Sequence, residues 1–250
     1  MNQPKNSTAT KPRIAWICIC SLIVGVLYAG STFAQSVGTV TDLSGPLLAR
    51  KADGVVMVLA QHSSVEQGDL LESEKNTYTR IKFIDNSEVT LRPNTQFKID
   101  AFSYDEAKPE NDNILVSLIK GGLRSVTGLL GKRNKEKVKF NTPAATIGIR
   151  GTNFGALFCQ NDCGTVPTAS GSVPQNGLYV DVVQGAIVVA NPAGSQTFQA
   201  GSFGFIANLN TPPIILPPSQ GMPVTMPTSI TNNPPSGANQ SPGNVDCIVR

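Results

Sequence analysis

From Val37 onward, apolar and polar positions alternate in short runs broken by glycine, proline, asparagine and aspartate. That period of two, with frequent turn residues, predicts strands rather than helices. In TYTRIKFIDNSEVTLRP, Tyr78, Arg80 and Lys82 fall on one side and Thr79, Ile81 and Phe83 on the other. Asp85-Asn86-Ser87 then supplies a turn, after which Glu88, Thr90 and Arg92 oppose Val89 and Leu91, so the segment predicts a hairpin with one buried and one wet face. VGTVTDLSGPLLARK predicts two strands around Ser44-Gly45-Pro46, and VVMVLA a fully apolar strand. ILVSLIKGGLRSVTGLLG predicts two strands split at Gly121-Gly122, with a helical turn near residues 125–130. Further strands follow in KVKFNTPAATIGIRGTNFGALF, GLYVDVVQGAIVVAN and GSFGFIAN, whereas YDEAKPENDN reads as an exposed excursion. The fold class is therefore all-β: a single domain of many short strands, a β-sandwich or a β-roll of solenoid type.

Both ends of the chain depart from this pattern. Lys5, Lys11 and Arg13 precede an uncharged apolar run from Ile14 to Gly30, and small residues stand at Thr32 and Ala34. This predicts a signal peptide over 1–34 and a periplasmic or secreted protein; the alternative is an uncleaved anchor, the only case in which membrane contact is expected. Residues 212–242 hold nine of the eighteen prolines. The domain is accordingly placed at 35–210 and a Pro-rich, largely disordered tail at 211–250, with PPIILPP as the part able to pack back or meet a partner.

Charge and candidate chemistry narrow the function. Without residues 1–34 the basic and acidic residues number 17 each, so nucleic acid is not an expected partner. The remaining cysteines are Cys159, Cys163 and Cys247, enough for one disulfide; Cys159–Cys163 across a turn and Cys163–Cys247 are the two pairings considered. His62 reads as a loop residue, TGLLGKRNK lacks the spacing of a phosphate loop, and no donor set suits a metal. No cofactor and no enzymatic activity are expected. Lys132, Arg133, Lys135, Lys137 and Lys139 form one basic cluster, with Lys135, Lys137 and Lys139 on one side of an expected strand. They are either an interaction patch or lysines that guard an edge.

Taken in order, Gly68-Asp69, Asp85-Asn86-Ser87, Pro93-Asn94-Thr95, Gly122-Leu123-Arg124 and Thr142-Pro143-Ala144 leading to Arg150-Gly151-Thr152 resemble the FecR domain family over about residues 37–208. The resemblance implies an all-β extracytoplasmic domain of a signalling protein. It makes Gly68, Asp69, Asp85, Ser87, Thr95, Gly122, Arg150, Gly151 and Thr152 its motif positions. Only 13 residues precede the apolar run, so the cytoplasmic, sigma-regulating part of the best-known members is not expected. The function that follows is an exported sensing or protein-interaction module, whose partner is an extracytoplasmic protein or envelope component. The alternatives are a structural or adhesive envelope protein using its tail as spacer or docking segment, and an anchored regulator. Arg150, ending an apolar run, is expected to be a partly buried strut paired with Asp69 or Asp85.

Overall fold

The computed structural model describes residues 35–231, apart from 165, 167, 169, 170 and 172. The signal or anchor segment, Cys247 and the last part of the tail lie outside the described residues.

The chain is all-β, as its periodicity predicts. Its strands are β1 (Ser36–Leu43), β2 (Leu47–Arg50), β3 (Val56–Leu59), β4 (Ser64–Glu66), β5 (Leu70–Ser73), β6 (Thr79–Phe83), β7 (Glu88–Leu91) and β8 (Gln96–Ser103). There follow β9 (Asn113–Val126), β10 (Val138–Asn141), β11 (Thr146–Cys159), β12 (Gly177–Asn191), β13 (Gly194–Gln199), β14 (Phe203–Ile206) and β15 (Ile214–Leu216). A single helical turn, α1 (Leu129–Arg133), separates β9 from β10. All the strands join one sheet, antiparallel except where β10 runs parallel to β9.

Three long strands organise that sheet, because each changes neighbours half-way. β9 pairs with β8 and β10 up to Lys120, then with β7 and β11 from Gly121 onward. β11 leaves β10 and joins β9 beyond Gly151. β12 pairs with β14 before Gly185 and with β13 after it. At each switch the backbone takes a positive φ: 79° at Gly121, 64° at Gly151 and 76° at Gly185. Only glycine adopts this conformation without steric cost, and bulges of this kind let one strand serve two layers.

One layer then runs through β3, β2, β5, β8, the first half of β9, β10, the first half of β11, the second half of β12, and β13. The other contains β4, β1, β6, β7, the remaining halves of the three long strands, β14 and β15. Their inner faces share one apolar core. Phe83 of the second layer stacks on Phe102 of the first at 4.9 Å, and Phe154 meets Phe140 edge-on at 5.2 Å.

Several expectations change at this level. β9 is one continuous strand, because Gly121-Gly122 bends it without breaking it. Arg80 is buried, not wet, its Nε 3.4 Å from Asp42. The largely disordered tail is corrected over residues 211–231: β15 pairs with β14, and Met222, Val224 and Ile230 are buried.

Gly185 provides a direct test of the bend. A Cβ at Gly185 would collide with the Gly151 carbonyl, in addition to the positive φ. Gly185→Ala should lower unfolding free energy by more than about 1 kcal/mol, read by urea denaturation; no change would remove the pivot from the account.

Candidate functional site

The motif residues build turns and locks. The Gly68 N–H bonds the Ile99 carbonyl at 2.7 Å, and buried Asp69 accepts from Lys51 Nζ at 2.9 Å and the Glu66 N–H at 2.9 Å. Burial opposes the charge on Lys51, but its bonds to Asp69 and Glu66 outweigh that and raise its pKa above 10.5. Asp85 accepts from the Ser87 hydroxyl and N–H in the β6–β7 turn, while its carbonyl accepts from Leu129 N–H at the start of α1. The Thr95 hydroxyl bonds both the N–H and the carbonyl of Gly122 at 3.0 Å. Thr152 N–H donates to Thr127 Oγ1 at 2.8 Å, and its carbonyl accepts from Thr127 N–H, which ties the pivot at Gly151 to the end of β9. Cys159 and Cys163 are joined as a disulfide at the end of β11.

Arg150 stands apart from these. Alternation puts Ile147 and Ile149 into the core and turns Arg150 outward; it is exposed, opposite Ala186. Neither Asp69 nor Asp85 pairs with it, so the expected strut is corrected: among the described residues Arg150 has no ion pair or side-chain hydrogen bond. The arginine that does act as a strut is the half-buried Arg124, from the motif Gly122-Leu123-Arg124. Its guanidinium reaches Asp181 Oδ2 at 2.8 Å, Asn153 Oδ1 at 3.0 Å and the Val224 carbonyl at 2.7 Å. Sequence reasoning placed no weight on Arg124, although it stands in a strand between buried Leu123 and Ser125.

The basic cluster also rearranges. Arg133 is withdrawn from it: the guanidinium holds the buried carboxylate of Asp112 at 2.6 and 2.7 Å and lies 4.7 Å over the Tyr104 ring. That bond to Asp112 raises its pKa above the ordinary value. Lys135 and Lys137 occupy a 3-10 turn before β10, so they do not share a strand face with Lys139. Lys132, Lys135, Lys137 and Lys139 are exposed, without acidic partners among the described residues.

Several of these exposed cations border one site. The outer face of β10, β11 and β12 carries an open groove of about 540 Å³, lined by Lys135, Glu136, Lys139, Gly148, Arg150 and Val188 among others. The register sets Lys139 beside Gly148, and Gly148 beside Val188. A side chain at Gly148 would meet only the Val188 carbonyl, at 3.8 Å, so the floor is low and open. Three unpaired cations over a shallow apolar floor suit an anion-bearing segment, with Arg150 able to take a carboxylate through two donors. The lining has one carboxylate, Glu136, and neither histidine nor cysteine. Among the described residues no cluster of three His, Cys, Asp or Glu has the arrangement of a metal site.

Residues 69–188 match the family model described as FecR protein. The chain carries a FecR domain. The FecR match spans Asp69, Asp85, Thr95, Gly122 and the Arg150-Gly151-Thr152 pivot, and so covers most of both layers. Two crystal structures of a protein described as a "putative anti-sigma factor" from Parabacteroides distasonis are similar to it at 15% identity and TM-score 0.44. The similarity covers 62% of this chain and 60% of those chains. None of the curated proteins compared with this FecR-domain chain matches it.

The two arginines should differ sharply in their response to truncation. Arg150→Ala should change stability by no more than about 0.5 kcal/mol. Arg124→Ala should cost about 3–5 kcal/mol, because it leaves Asp181 buried without its partner. Thermal and urea unfolding of both variants checks this; equal losses would contradict the assignment.

Proposed function

We propose that this FecR-domain protein is an exported sensing and interaction module that acts by binding, without catalysis, an acidic segment of an extracytoplasmic protein in the Arg150 groove. The observation that carries the reading is the set of three cations, Lys135, Lys139 and Arg150, unpaired among the described residues, around one open floor. An excess of exposed positive charge, three cations against Glu136, draws an oppositely charged partner and orients it. In this reading the segment 1–34 is removed and the protein works in the periplasm or medium, with no cofactor and no nucleic acid.

The test places a photo-crosslinking residue at Lys139 in intact cells, together with intact-mass analysis of the recovered protein. A discrete crosslinked product on a chain beginning at Gln35, lost in Arg150→Glu at unchanged melting temperature, is the expected result. Unaltered crosslinking in Arg150→Glu would reject the groove. A chain beginning at Met1 in the inner membrane would instead favour the anchored regulator.

A structural role in the envelope is the second reading, favoured by a separate observation. Among the described residues β3 pairs with β2 alone, and Val55, Val56, Met57 and Val58 are between 47 and 73% exposed. Such an apolar edge invites a further strand. If it assembles copies of the chain, sedimentation should show concentration-dependent oligomers that Val58→Lys abolishes; a monomer at all concentrations would dismiss this role.

A further inference from the structure

Residues 221–226 lie across the outer face of the second layer as a bound peptide would. The face is made by Arg124 of β9, Gly155 and Leu157 of β11, and Tyr179 and Asp181 of β12. Met222 and Val224 point into it, 2% and 0% exposed, and Pro223 between them is exposed. Both anchors pack with Leu157, Cys159 and Tyr179. Gly155 makes the room: a Cβ there would overlap Val224 and Asp181.

The polar contacts recognise main chain. Asp181 Oδ1 accepts the Val224 N–H at 3.2 Å, and Arg124 donates to the Val224 carbonyl from Nε at 3.1 Å and Nη2 at 2.7 Å. Arg124 and Asp181 are themselves paired at 2.8 Å, so one ion pair holds both backbone groups of a single residue. Arg92 adds a bond to the Thr225 carbonyl at 2.9 Å. Nothing in these bonds depends on which chain supplies the backbone. The side chains specify an apolar residue, then proline, whose missing N–H is not needed here, then a small aliphatic residue.

We propose that this face is a receptor groove for an extended apolar–Pro–aliphatic segment of a partner protein, and that residues 221–226 are its resident occupant. The partner's segment enters by displacing Met222-Pro223-Val224 and takes over the bonds from Arg124, Asp181 and Arg92. The groove is separate from the Arg150 face, so the two assignments stand or fall independently.

The probe is a fluorescein-labelled peptide of residues 219–229, titrated by anisotropy against the full-length protein. In the native chain the tethered strap competes at an effective concentration of about millimolar, so binding should be weak. Val224→Asp in the protein removes the strap's buried anchor and should tighten binding of the native peptide by about tenfold or more. The same substitution placed in the peptide should abolish binding. A folded Val224→Asp protein that binds the peptide no better than the native chain overturns the proposal. Should that variant fail to fold, a protease site inserted at exposed Leu209 gives the second measurement. After cleavage the C-terminal fragment should co-elute with the body and exchange for labelled peptide; unfolding on cleavage, or a fragment that never exchanges, overturns the proposal equally.

Discussion

Three glycines carry the geometry on which everything else rests. β9, β11 and β12 each belong to two layers, and each must turn from one to the other inside a continuous strand. A side chain at Gly121 would strike Thr95, and one at Gly185 would strike Gly151. Gly121 and Gly185 are therefore held by packing as well as by positive φ, Gly151 by its φ alone, and the motif residues supply the clamps. Thr95 fastens β9 beside its bend through both backbone groups of Gly122, and Thr127 with Thr152 fastens β11. Because buried backbone groups left without partners are costly, these hydroxyls fix where the bend occurs.

A sheet bent in this way has two outer faces, and the sequence treats them differently. On the first layer, small residues at Gly148, Ala186 and Ala190 leave a low surface bordered by cations. On the second, larger apolar residues at Leu157 and Tyr179 are covered by residues 221–226, so the sheet at that patch is buried on both sides. The same strand, β11, supplies Arg150 to the open face and Gly155 to the covered one. The proposed binding faces draw on outer-face residues, whereas Asp69, Asp85, Ser87, Thr95 and Thr152 hydrogen-bond within the frame that presents them.

Much of the frame was legible in the sequence, and the reasons are local. Period-two alternation marked the hairpin from Thr79 to Leu91, and Asp85-Asn86-Ser87 marked its turn. Arg150 was misread because its place among apolar residues suggested burial, although alternation after Ile147 and Ile149 already pointed it outward. The role of Arg124 depends on Asp181 and Val224, which are 57 and 100 residues away; no local pattern encodes that meeting. The strap was hidden by its proline content, yet Met222 and Val224 flank Pro223 at the spacing of two anchors on one side of an extended chain. Lysines 135 and 137 looked strand-like by spacing, but a 3-10 turn precedes β10 and takes them off its face.

Strands shared by two layers should make both layers open as one cooperative unit. Native-state hydrogen exchange, followed by mass spectrometry across a denaturant series, tests this most directly. The account predicts that core amides of β9, β11 and β12 on both sides of Gly121, Gly151 and Gly185 open together, at the free energy of global unfolding. Halves that exchange at separate free energies, with one layer opening while the other stays protected, would contradict it.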